Sequence, residues 1–232
     1  MASLHGEVIG EMQIGCSTAS GKYLLPRLVA GFRRLYPLVR INILISSRKS
    51  VVNMLLSGEA AFGVSSKQVE HRDLEFIEFF SDEIILIVPS NHPWANYRNI
   101  YPEDLLDEPI ILREEYSGTR DVMMDALLTQ DISPDMLNVT MVLGNAEAIV
   151  MAVSEGIGVA FISRLAAARD LEMGRVVEVD VRGMSLRRNL YLARCRRIPK
   201  TRAQEEFWDF VHLGEHLSFP MLNDPIRTPS AE

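Results

Sequence analysis

The sequence predicts an α/β protein made of two Rossmann-like subdomains joined by two crossing strands. Three observations predict it. Two β-α-β units follow one another between Met12 and Val64, which implies a parallel, doubly wound sheet. An apolar strand ending in Val88-Pro89 then runs into Ser90-Asn91-His92-Pro93-Trp94, a turn-rich segment where a domain crossover belongs. A second strand, Arg188 to Ala193, carries the chain back before a final helix.

The first unit opens with a strand, Met12–Gly15, and a hydroxyl-rich loop holding Ser17, Thr18, Ser20 and Gly21. An amphipathic helix follows, with Leu24, Leu28, Phe32 and Leu35 at the three-and-four spacing of one buried face. Pro26 fits its first turn and Pro37 stops it. A strand, a polar loop and a helix N-terminus in that order suit a small anion: free N–H groups point out of the helix end and the hydroxyls add donors. Ordinary helix capping by the same hydroxyls is compatible with that role.

Val39–Ile45 alternates with β-branched residues and reads as a strand. Val51, Val52, Leu55 and Leu56 follow Ser50 in a short helix that Gly58 ends. Ala60–Val64 is a buried strand that ends in a second polar loop, Ser65-Ser66-Lys67. Ligands bind such sheets at the carboxyl ends of strands, where Ser17, Thr18, Ser65 and Ser66 fall. Leu74–Phe80 and Asp82–Val88 read as two strands.

In the second half, a one-turn helix over Pro102–Leu106 precedes a strand, Ile110–Arg113. Ser117-Gly118-Thr119-Arg120 opens a helix whose apolar side is Val122, Met123, Ala126 and Leu127. Asn145 caps a helix from Ala146 to Glu155 after the strand Asn138–Gly144. A strand at Gly158–Ile162, a helix at Leu165–Leu171 and a strand at Val176–Val181 follow. The last helix, Thr201–Leu213, has Ala203, Phe207, Phe210 and Val211 on its apolar face.

Several segments match the effector-binding domain of LysR-type transcriptional regulators. They are Ile14-Gly15-Cys16-Ser17-Thr18, Tyr23-Leu24-Leu25-Pro26, Leu28 to Pro37, the Val88-Pro89 to His92-Pro93 loop, Ser117-Gly118-Thr119-Arg120 and Gly156-Ile157-Gly158-Val159-Ala160. The chain resembles that family from about Gly10 to Leu213. It departs at Ala19, where members often carry a further hydroxyl.

The resemblance implies the type II periplasmic binding protein fold, with residues 8–88 and 192–213 as one subdomain and 89–191 as the other. Residues 1–7 then read as a linker remnant and 214–232 as a flexible tail, and the family's N-terminal winged helix-turn-helix is absent from this chain. The resemblance also implies an effector in the cleft between subdomains. Ser117, Gly118 and Thr119 would oppose Ser17, Thr18 and the neighbouring Ser20 across it. Ser65 and Ser66 face the same way or form a solvated turn, and Asn145 is a cap first and a ligand donor second. The ligand expected is a small carboxylate or inorganic oxyanion, because two helix ends would aim at one point. Arg120 either adds a charge-assisted contact or is a surface residue. The family pairs the edge formed by Leu24–Tyr36 and Val39–Ile45 with the second subdomain of a partner. A homodimer is therefore expected, a tetramer for a full-length regulator, and DNA contact only through the missing domain.

Composition limits the alternatives. The chain has 232 residues, 47% hydrophobic and 24% charged, enough for a real core. A net charge of −7 and a pI near 5.3 argue against DNA binding by this chain alone. Cys16 and Cys195, far apart, read as reduced thiols. No apolar run spans a bilayer and no leader precedes the fold, so no membrane partner and a cytoplasmic location are expected.

No metal or cofactor motif occurs, and the methionines at 123, 124, 136, 141 and 151 read as core rather than a cofactor box. Cys16 lacks the base and orienting partner of a nucleophile and reads as small buried filler. Glu114-Glu115 reads as solvated acids rather than an acid/base couple. An enzyme on this fold therefore ranks last. The runner-up is a solute-binding protein feeding a transporter.

Overall fold

A computed structural model describes residues 7–97, 99–115 and 117–214. In chain order the elements are β1 (Gly10–Cys16), α1 (Leu25–Leu35, preceded by a π-helical turn, Ser20–Leu24), β2 (Val39–Ile45), α2 (Arg48–Ser57), β3 (Phe62–Ser65) and β4 (Leu74–Pro89). Then come α3 (Trp94–Tyr97), β5 (Asn99–Ile100), β6 (Ile110–Arg113), α4 (Gly118–Leu128), β7 (Val139–Leu143) and α5 (Ala146–Ser154). The order closes with β8 (Ala160–Ser163), α6 (Arg164–Glu172), β9 (Val176–Val181), β10 (Leu186–Cys195) and α7 (Arg202–His212).

Contacts divide the chain into two compact units, with the breaks at Phe80/Ser81 and Arg188/Asn189. Both breaks lie inside strands, so β4 and β10 each belong to both units. The expected boundaries, Pro89 and Leu192, lie further along the same two strands. Apart from Glu7 and Gly214, the expected linker and tail lie outside the described residues.

The first unit is built on β1. It pairs in parallel with β2, Gly10 opposite Val39 through Cys16 opposite Ile45, and with β3, Ile14 opposite Phe62. β10 adds antiparallel to β3, Leu192 opposite Val64. Alternation sends Met12, Ile14 and Cys16 into one face, where α1 and α7 cover them. The centre of that core is aromatic: Phe32 meets Phe207 edge-on at 5.0 Å and Phe210 at 5.5 Å. The opposite face carries α2, whose Val51 and Leu55 pack with Leu74, Ala193 and Cys195. Gly63 admits that helix, since a Cβ there would stand 2.7 Å from Val51. Leu35, expected in the core, is 49% exposed. Periodicity sets the direction in which a side chain points, not whether a partner stands opposite. Here Tyr36 takes the place beside Phe32, ring centres 4.7 Å apart.

In the second unit β4 pairs antiparallel with β8 and with β9, and β5 joins β9 in parallel. β6 and β7 form a parallel pair. Ile84, Leu86, Ile110, Leu112, Met123, Leu127, Phe161 and Val179 share its core. Of the five methionines expected inside, Met123 is buried, Met124 and Met141 are half-buried, and Met136 and Met151 are 48% and 59% exposed. Met136 stands in a short 3-10 turn and Met151 on the outer side of α5, so the core reading fails for both.

The two strands expected at Leu74–Phe80 and Asp82–Val88 are one strand of 16 residues. The expected gap at Ser81 is closed, and the next residue, Asp82, turns its side chain inward to an ion pair. α3 and β5 follow the expected loop at Ser90–Trp94, in a stretch to which the sequence reading assigns no element. Among the described residues, no helix is long and apolar enough to cross a membrane.

Candidate functional site

The chain passes from β1 through Ser17 and is helical from Thr18. Ser17 is exposed, Thr18 half-buried and Ser20 only 3% exposed. The Ser17 carbonyl accepts from Gly21 N–H at 2.9 Å, and the Ser17 and Ser20 hydroxyls lie 3.3 Å apart. Ser17 thus closes the first turn through its backbone, and its hydroxyl stays at the surface.

The next turn is widened, with Leu25 N–H reaching back five residues to the Ser20 carbonyl. Pro26, one residue later, has no N–H to give. A π turn inside a helix commonly marks a functional site. Gly21 sets its place: a Cβ there would stand 2.9 Å from both Cys16 Sγ and Ile45 Cγ1. Cys16 is fully buried beneath the loop, and burial pushes its thiol up to about 12. A thiol so held is inert near neutrality. At the end of β3, Ser65 Oγ donates to the Lys67 carbonyl at 2.7 Å and accepts from Lys67 N–H at 3.2 Å. Ser65 is therefore committed to its own turn, beside a half-buried Ser66.

In the second unit β6 leads to a buried Ser117, whose carbonyl accepts from Asp121 N–H at 2.9 Å as α4 begins. Gly118 is half-buried. Thr119 is 1% exposed, and its Oγ1 accepts from Arg188 Nη1 at 3.1 Å. Arg120 donates to the Arg113 carbonyl at 3.1 Å, which ties it to the strand before the helix. Arg113 itself forks onto Glu114 at 2.7 and 2.8 Å, and Glu115 is exposed, so the two acids do not converge. Asn145 Oδ1 accepts from Glu147 N–H at 2.8 Å and Ala148 N–H at 3.2 Å. It is a helix cap.

Sequence reasoning missed the residues behind Thr119. Arg188 places Nε and Nη2 on Asp82 Oδ2 at 2.8 and 2.6 Å. Ser163 Oγ donates to Asp82 Oδ1 at 2.7 Å. Asp82 is 2% and the Arg188 side chain 9% exposed. No local signal marks them: β4 also carries Glu75, Glu78 and Glu83, and β10 also carries Arg187 and Arg194. The second unit also holds a cavity of about 160 Å³ lined by Glu83, Glu178, Asp180, Phe161 and Met184. Arg164 bridges Glu83 and Glu178, yet burial still pushes the Glu178 carboxyl up. That acidic lining disfavours an anion.

Residues 5–214 match the family described as LysR substrate binding domain. The chain is a LysR substrate binding domain. This domain is 34% identical over 211 residues to an uncharacterized HTH-type transcriptional regulator of Methanocaldococcus jannaschii, a match covering 91% of the chain and 71% of that protein. It is 32% identical over 184 residues to a "Probable RuBisCO transcriptional regulator" of Cyanophora paradoxa, covering 78% of the chain but only 57% of that protein.

Two solved structures establish the fold of this LysR domain. One is the effector binding domain of QuiR in complex with shikimate: TM-score 0.78, 22% identity, 90% of this chain and 98% of that one. The other is the CcmR regulatory domain of Synechocystis PCC6803 in complex with 2-PG: TM-score 0.77, 24% identity, 88% and 96%. The fold is the type II periplasmic-binding-like fold of LysR effector-binding domains. The family is one of transcriptional regulators, and the transporter reading gains no support.

Proposed function

We propose that this domain senses a small anionic metabolite for a LysR-type regulator, without chemistry on the ligand. The observation that carries the reading is that each unit offers one hydroxyl-bearing helix end after a strand: Ser17, Thr18 and Ser20 after β1, and Ser117, Gly118 and Thr119 after β6. Ser65, Ser66, Arg120 and Asn145 are secondary, since the Ser65, Arg120 and Asn145 side chains are engaged at home. N–H groups and hydroxyl protons at a helix end favour negative charge. Shikimate and 2-phosphoglycolate, the ligands of the two structural neighbours, both carry carboxylates.

An effector with different affinity for two states of the protein shifts their balance by that difference alone. Its consequence is read out at DNA by another domain of the regulator, and a cytoplasmic location goes with that reading. The test is amide chemical-shift mapping with shikimate, 2-phosphoglycolate, sulfate and inorganic phosphate. Perturbations centred on residues 17–21 and 117–120 are expected, and perturbations centred elsewhere contradict the reading.

We also propose a homodimer through the outer edge of the first unit against the second unit of another copy, with tetramers for the whole regulator. β2 is an edge strand, and Leu35, Leu38 and Ile45 are 49%, 48% and 51% exposed. Sedimentation of wild type as a dimer and of Ile45→Glu as a monomer is expected. An unchanged dimer in Ile45→Glu rejects this edge.

A further inference from the structure

A buried ion pair is seldom the most stable solution for a core, since apolar residues of similar volume do as well or better. The Asp82–Arg188 pair therefore calls for a role. Its position supplies one. Asp82 lies one residue past the point where β4 enters the second unit, and Arg188 is the last residue of that unit on β10. The pair joins both crossing strands at the places where the chain enters and leaves the unit.

The remaining Arg188 donor, Nη1, reaches Thr119 Oγ1 in the first turn of α4. A guanidinium has only donors, so Thr119 must accept, and its own proton is turned away from the cation. A hydroxyl polarised in this way is a directed donor toward an anion.

We propose that Arg188 is the positioning residue of the α4 helix end. It holds Thr119 with the hydroxyl proton offered to the effector, and it ties effector contact at α4 to the two strands on which the chain crosses between units. The proposal rests on the reading of α4 as an effector contact, and its test separates the two.

Removing Arg188 alone leaves Asp82 buried and unpaired, so the informative variant is Asp82→Leu with Arg188→Met, which removes both charges. In the ligand-free chain, three-bond couplings of the isotopically labelled Thr119 γ-methyl report its χ1. One rotamer is expected in wild type and rotamer averaging in the double variant. A single retained rotamer overturns the proposal, whatever the ligand results.

The second arm measures binding of shikimate, 2-phosphoglycolate and inorganic phosphate. The double variant is expected to bind about three- to tenfold more weakly, the range of one lost hydrogen bond. Thr119→Val added to it should cause little further loss, because the hydroxyl that Arg188 no longer orients has already lost its bond to the anion. A further loss equal to that of Thr119→Val alone overturns the proposal. If wild type binds none of the three probes, the function assigned to α4 fails, while the rotamer arm still decides the role of Arg188.

Discussion

At the scale of residues, two buried groups make predictions of opposite kind. The Asp82–Arg188 pair is held by good geometry, and Ser163 satisfies the remaining carboxylate oxygen. Arg188→Met alone should lower unfolding stability by about 3–5 kcal/mol, because it leaves a buried charge without its partner. Combined with Asp82→Leu, the loss should largely disappear, and urea unfolding of both variants checks this. Cys16 titrates the other way. Its thiol ionises near 9.0 in an unfolded chain and near 12 when folded, so stability is full below 9. Between those two values the unfolded state alone is charged, and stability falls by about 1.4 kcal/mol per pH unit. Cys16→Ala should remove that slope when unfolding is followed across the alkaline range. Cys16 was legible as buried filler, because no base stands near it in the sequence pattern. The Asp82–Arg188 pair was not, because its members are 106 residues apart and no local pattern pairs them.

Helices and strands were legible where local chemistry decides them. β2 and β9 have the bounds that alternation and β-branching indicate. Asn145 caps α5 as a side chain of that type should, and its Oδ1 accepts one hydrogen bond each from the Glu147 and Ala148 N–H groups. Asn145→Ala should therefore cost about 0.5–2 kcal/mol, or a few degrees of melting temperature, readable by calorimetry. The π turn before α1 was not legible. It depends on Gly21 being pressed against Cys16 and Ile45, residues of two strands whose approach no local pattern encodes. The continuity of β4 was hidden for the same reason, since a partner distant in sequence satisfies its inward acid. Among the candidate site residues, Ser65, Arg120 and Asn145 had the right residue type and loop, but local bonds engage their side chains. Ser17, Thr18, Ser117 and Thr119 stand at the helix ends where the strand-loop-helix order put them.

For the whole molecule, alternating β and α segments with two long crossing strands sufficed to indicate the fold, because connection rules leave few arrangements. The net charge of −7 is the opposite of the basic footprint that DNA contact calls for. The central claim is that anions bind at the hydroxyl-bearing helix ends. Its most direct test is a thermal-shift titration of wild type, Ser17→Ala and Thr119→Val with small carboxylates, phosphate and sulfate. Ligand at about a hundredfold its Kd should stabilise wild type by roughly 2.7 kcal/mol, a rise of several degrees. At least one anion should give this rise, and Thr119→Val or Ser17→Ala should cut it by about 0.6–1.4 kcal/mol at the same concentration, the effect of a three- to tenfold weaker Kd. A full shift retained in both variants, or no shift for any anion in the folded wild type, would contradict it.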